Sequence, residues 1–238
     1  DPQDVSKSDI IPQIHFMVNR FLNGSFPYDV INEWGYSLNP TYMPLQWLPY
    51  IISELFDFDY RWIPTAALLL AFTIFTFLSF KFIQSNWTWV LWIIFPILFI
   101  AGLVQLEPDT FSFTVENLIL AYYIILGISI SNKNPLATGL AISLCMLSRY
   151  SLILWLPLFA WILYFKNKKA LIWIISISFI ALLTIYIIPF FSKSPDIFSS
   201  ALDHHFKAAI GEWAPYWQAA DEKPFHLYRG IGMASLFY

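Results

Sequence analysis

The chain has 238 residues, 58% of them hydrophobic, 20% aromatic and 12% charged. Soluble domains carry about 25% charged and about 45–50% apolar residues, and a mean hydropathy of +0.59 points the same way, towards lipid. Cys145 is the one cysteine, which excludes an internal disulfide and a thiolate metal cluster, and a net charge of −3 leaves no basic surface for nucleic acid.

The chain opens at Asp1 without the basic start and apolar run of a signal peptide, and it closes on Leu236-Phe237-Tyr238. The expectation is an internal piece of a longer protein. Its fold would be all-α, a polytopic transmembrane helical bundle lacking its terminal helices.

In chain order, residues 1–61 form a first large segment outside the bundle. Pro12–Asn23 reads as a helix, with Pro in its first turn and Gly24 as its stop. Met43–Phe56 places Leu45, Leu48, Ile52 and Leu55 at helical spacing, with Gln46, Ser53 and Glu54 elsewhere. That amphipathic pattern suits a helix in the membrane interface or one packed on the protein's own core.

Residues 62–191 form the membrane core. A bilayer crossing takes roughly 20 apolar residues, and Ile63–Ile83, Trp87–Leu106, Phe111–Ser131 and Ala170–Phe191 meet that length. Pro135–Phe165 is broken by Ser148-Arg149-Tyr150-Ser151 and is too short for two crossings. It is predicted as a pair of short helices, Pro135–Leu147 and Leu152–Phe165, lining a cavity. Residues 192–238 return to a second outer segment with a further helix, Phe198–Ile210.

Charge sets the sidedness. If residues 1–61 lie on one face, alternate crossings put Lys81, Lys133, Lys166, Lys168 and Lys169 on the other: five lysines and no acid. All sixteen acidic residues fall on or near the first face. Lysine-rich short loops mark the cytoplasmic side. Both large segments are therefore expected outside the cytoplasm, with the chain integral to a plasma membrane.

Several residues stand out against this background. Asp4 and Asp9 sit in the first outer segment, where a carboxylate can act as a general base, or is simply solvated. Glu107 and Asp109, one residue apart, can share a divalent cation through oxygen ligands, or belong to a solvated loop. Glu116 lies at the mouth of the third span, a costly place for an unpaired carboxylate. Arg149 is the one Arg between Arg61 and Arg229, and its planar fork suits a phosphate, although it can equally snorkel to headgroups. Asp203-His204-His205 has metal-ligand residue types without metal-ligand spacing, and no nucleotide-binding or hydrolase motif occurs.

The outer segment reads Ser8-Asp9-Ile10, then Phe26-Pro27-Tyr28-Asp29, then Asn39-Pro40-Thr41-Tyr42-Met43-Pro44. Later comes the small-residue run Gly139–Leu147, Ser148-Arg149-Tyr150, and Leu154-Trp155-Leu156-Pro157-Leu158. In order and topology these segments resemble the GT-C superfamily of membrane glycosyltransferases, in particular the polyprenyl-phosphate-mannose-dependent and aminoarabinose-transferase-like bacterial branches. The resemblance implies a sugar moved from a polyprenyl-phosphate donor to a glycan, lipid or protein acceptor outside the cytoplasmic membrane. It implies Asp9, or Asp4, as the catalytic base and Arg149 beside the donor phosphate. Glu107 and Asp109 resemble an acidic pair of some members, with Glu116, Tyr42 and Tyr150 as further substrate contacts. A lipid-phosphate leaving group needs no nucleotide, and a divalent cation is an option. The competing readings are a transporter or flippase, a non-catalytic envelope-assembly protein, and another lipid-linked enzyme such as an O-antigen ligase or polymerase.

Overall fold

A computed structural model of the chain describes residues 8–35, 37–79, 88–106 and 113–197. Among the described residues the protein is all-helical, with one isolated bridged pair and no longer strand.

Helix α1 covers Ile10–Leu22 and buries Ile11, Pro12, Gln13, Ile14, Met17 and Val18. It starts two residues ahead of the predicted Pro12 because Ser8 Oγ accepts the Ile10 N–H at 3.3 Å. The Asp9 carbonyl then takes the first helical bond, from Gln13 N at 2.9 Å. Gly24 ends it in the left-handed region, at φ +73°, while Ser25 N donates to Arg20 O at 2.8 Å.

The amphipathic stretch Met43–Phe56 is three pieces rather than one helix. Helix α2 covers Pro44–Trp47, a 3-10 turn covers Leu48–Tyr50, and α3 covers Ile51–Phe56. Pro49 has no N–H to give the Leu45 carbonyl four residues back, and the Tyr122 hydroxyl takes that carbonyl instead, at 3.1 Å. The break also divides the two readings of this stretch. Trp47 and Tyr50 are fully buried, whereas Leu55 and Phe56 on α3 are 64% and 74% exposed.

The helical core follows: α4 (Trp62–Ser79), α5 (Thr88–Leu106), α6 (Glu116–Ser131), α7 (Pro135–Met146), a 3-10 turn (Tyr150–Leu154), α8 (Leu156–Lys166) and α9 (Lys168–Leu182). Helix α9 runs on in π turns over Leu183–Phe191, where Pro189 again lacks an N–H. The short links are built by asparagine caps. Asn134 Oδ1 accepts from Leu136 N at 3.0 Å and Ala137 N at 3.3 Å, and Asn167 Oδ1 accepts from Ala170 N at 3.1 Å. Helix α4 packs on α6, α6 on α7, and α7 on α9. The last contact is close: a Cβ on Gly139 would lie 2.9 Å from Ile177 Cβ.

Two predicted lengths change. The third apolar segment is helical from Glu116, not Phe111, which puts Glu116 in the first turn of α6. Among the described residues one helix, Lys168–Phe191, is long and apolar enough to cross a membrane, while the other apolar helices are shorter. Large apolar side chains nonetheless face outwards along α5, α8 and α9, among them Phe95, Trp161, Phe165 and Trp173.

The contacts divide the chain into two compact units, Asp1–Pro27 with Tyr42–Ile187, and Tyr28–Thr41 with Ile188–Tyr238. In the second unit, Ile31 and Leu38 exchange two backbone hydrogen bonds of 2.9 and 2.8 Å, and the Tyr28 ring meets Phe190 edge-on at 5.5 Å. The candidate site lies wholly in the first.

Candidate active site

Three long-range ties bring the ends of sequence-distant segments together in the first unit. Ser8 Oγ donates to Phe113 O at 3.3 Å, joining the start of α1 to the approach to α6. Leu45 N donates to Leu147 O at 2.9 Å, clipping α2 to the end of α7. Tyr122 on α6 closes the set by donating to Leu45 O. A polypeptide held at these points must place Asp9, Tyr42, Glu116 and Arg149 near one another.

The side chains bear that out. Arg149 leaves α7 in an extended conformation, its N–H still bonded to Cys145 O at 2.9 Å. Its Nη2 donates to Glu116 Oε1, forming an ion pair between side chains 38% and 44% exposed. Glu116 gains further from the partial positive charge of the α6 N-terminus. Pairs this open to water contribute about 0–1 kcal/mol. Glu116 pairs with the Arg149 guanidinium through Nη2, and a guanidinium carries five N–H donors in all.

Tyr42 sits among these charges. Its phenol is held above the ordinary value, first by burial of the hydroxyl and then by the negative charges of Asp9 and Glu116, with Arg149 opposing. A phenol that keeps its proton near two carboxylates can donate a hydrogen bond. Asp9, Tyr42, Glu116 and Arg149 are thus one electrostatic neighbourhood, assembled from four stretches of chain.

The other residues singled out from the sequence fare differently. Tyr150 follows Arg149 directly and opens the 3-10 turn. Asp4, Glu107, Asp109 and Asp203-His204-His205 lie outside the described residues. Among the described residues no group of three or more His, Cys, Asp or Glu side chains is placed to hold a metal ion. Trp47 is fully buried with its ring edge-on to Phe21 at 5.5 Å, and it serves packing.

The structure adds residues that the sequence reading passed over. His15 Nδ1 lies 2.7 Å from Glu54 Oε1 and 3.2 Å from the Tyr60 hydroxyl, and its Nε2 lies 2.9 Å from Asn19 Nδ2. The imidazole thus bridges Glu54, Tyr60 and Asn19, and Glu54 also accepts from the Tyr60 hydroxyl. This network ties α1 to α3 and to the approach to α4. Burial, and then Glu54, push the Tyr60 phenol above the ordinary value.

A second group is buried without hydrogen-bond partners among the described residues: Gln13 Nε2, Tyr50 Oη, Ser53 Oγ and Asn117 Nδ2. Each such atom costs about 1–3 kcal/mol if nothing satisfies it. Gln13 had a legible signal, as a polar residue on the face that otherwise buries Ile11, Ile14, Met17 and Val18.

No protein-family profile, curated protein or solved structure matches the chain.

Proposed function

We propose that the chain is the catalytic portion of an integral-membrane glycosyltransferase. It moves a sugar from a polyprenyl-phosphate donor to a hydroxyl acceptor on the extracytoplasmic face of a bacterial inner membrane. The observation that carries this reading is the half-exposed Glu116–Arg149 ion pair, with the charges of Asp9, Glu116 and Arg149 all acting on the Tyr42 phenol. The outward apolar faces of α5, α8 and α9, and the exposed tip of α3, favour a lipid setting with several crossings.

The chemistry follows from the groups. Asp9 takes the proton from the acceptor hydroxyl as its oxygen attacks the anomeric carbon. The bond from that carbon to the phosphate oxygen breaks on the opposite face, its electron pair leaving with the phosphate, and the configuration inverts. Arg149 balances the charge that grows on the departing phosphate. Tyr42, kept protonated, donates a hydrogen bond within the same site.

The test is transfer by purified full-length protein in nanodiscs, using radiolabelled polyprenyl-phosphate mannose or aminoarabinose as donor. Asp9→Asn should lower turnover at least about 100-fold, within the range that a positioned base supplies, while lipid-phosphate binding stays unchanged. Unchanged transfer by Asp9→Asn would remove this carboxylate from the catalytic role.

A further inference from the structure

The turn between α8 and α9 carries a charge that the surrounding sequence does not answer. Lys166, Lys168 and Lys169 are all exposed there, and no Asp or Glu occurs from Asn117 to Pro195. Lys166 closes α8, where a cation is favoured, but Lys168 and Lys169 open α9, whose first turn holds no acid. A helix N-terminus is itself partly positive, so these two lysines sit against like charge. A merely solvated face gains nothing from that placement. An anion resting on the turn offsets it.

Beside the lysines lies an exposed aromatic cluster. Trp161, Tyr164 and Phe165 are 66%, 49% and 68% exposed. The Phe165 ring meets Trp161 edge-on at 5.1 Å and Tyr164 edge-on at 5.3 Å. Lys168 Nζ stands 4.5 Å from the centre of the Tyr164 ring. Cation and rings are therefore one continuous surface, charged at the turn and apolar along the end of α8. Free phosphate would use the lysines and leave the rings in water. A phospholipid uses both, with its phosphate on the ammonium groups and its glycerol and upper acyl chains against the rings.

We propose that the α8–α9 turn is a docking surface for anionic phospholipids, with Lys166, Lys168 and Lys169 on the headgroup phosphate and Trp161, Tyr164 and Phe165 beside the acyl chains. This rests on the membrane setting proposed above and is independent of the transferase chemistry. It makes the protein's hold on a bilayer depend on lipid charge as well as on apolar length.

The test is binding of acyl-labelled phosphatidylglycerol and phosphatidylcholine to full-length protein in a non-ionic detergent, read by fluorescence anisotropy. Wild-type protein should bind phosphatidylglycerol more tightly, and that preference should shrink as salt rises. Lys166→Gln, Lys168→Gln and Lys169→Gln should each weaken phosphatidylglycerol binding about 5-fold, and the triple variant about 100-fold. Phosphatidylcholine binding should not change. Arg61→Gln should leave both lipids unaffected, since Asp59 already pairs with that guanidinium. Phe165→Ser should weaken both alike.

A triple variant that keeps the wild-type preference would overturn the proposal. So would glycerol 3-phosphate that displaces the labelled lipid as well as unlabelled phosphatidylglycerol does, since the turn would then be a plain anion site. Wild-type protein that binds both lipids equally overturns the charged docking surface and leaves the membrane setting standing. Wild-type protein that binds neither overturns the membrane setting itself.

Discussion

Replacing Arg149 by alanine separates what the residue does for the fold from what it does for a ligand. Its structural investment is one ion pair to Glu116, with side chains 38% and 44% exposed. Solvent screening and side-chain entropy leave such a pair about 0–1 kcal/mol. At this chain length 1 kcal/mol moves Tm by about 2–4 °C, so Arg149→Ala should melt within that interval of wild type. A lipid phosphate held by the guanidinium is different, because a hydrogen bond to a charged group is worth about 1.5–3 kcal/mol. Its loss should weaken farnesyl phosphate binding about 10- to 150-fold, measured by calorimetric titration in nanodiscs. Arg149→Lys keeps the charge without the fork and should fall between. Glu116→Gln removes the resident anion and should tighten binding several-fold. A fall in Tm of more than about 10 °C, or an Arg149→Ala affinity within about twofold of wild type, would refute the reasoning.

Two glycines should respond in opposite directions to the same substitution. Gly139→Ala drives a Cβ to 2.9 Å from Ile177 Cβ and 3.3 Å from Ile174 O, atoms that move only with α9 itself. It should lose about 1–2 kcal/mol by overpacking. Gly127→Ala on α6 meets nothing within 4 Å and should gain up to about 1 kcal/mol from helix propensity, and melting curves of both check the pair. Tyr122→Phe deletes the hydrogen bond to Leu45 O and should cost about 1 kcal/mol, read as a lower Tm.

In a spectrophotometric alkaline titration, Tyr42, Tyr50 and Tyr60 should stay protonated in the folded protein past the ordinary value of 10.0. Because the fold holds these protons more tightly than the unfolded chain does, their contribution is intact below about pH 10 and is lost as pH rises beyond it. Ionisation of all thirteen tyrosines in one step near pH 10, without unfolding, would contradict this.

Local chemistry carried much of the architecture into the sequence. Gly24 stops α1 by backbone preference and Ser148-Arg149 interrupts an apolar run, so α1, α7, α8 and α9 lie within a few residues of the predicted helices, while the caps of Asn134 and Asn167 show only in the structure. Met43–Phe56 reads as one helix in the sequence because its apolar spacing survives the break at Pro49. The fate of the Leu45 carbonyl depends on Tyr122, far along the chain. The helices of the core are apolar on every side, so sequence cannot say which faces meet protein. Trp47, fully buried, and Trp161, 66% exposed, look alike on the page. Single members of the site could be picked out as unusual charges, but their meeting is a tertiary fact. The orphaned Gln13 and Asn117 gave a weaker signal, since a polar residue in a helix is ordinary until its surroundings are known.

The clip between Leu45 N and Leu147 O is made of main-chain atoms on both sides. Such a fastening is indifferent to the side chains that flank it. The bond itself needs neither leucine side chain, although packing keeps Leu147, 1% exposed, apolar; α2 stays moored to the end of α7 through main-chain atoms, and Tyr42 and Arg149 with it. One residue type alone is barred from position 45, proline, which has no N–H to offer. Neighbouring side chains are then open to divergence and retuning towards new substrates, because the registration of the site is written into the backbone.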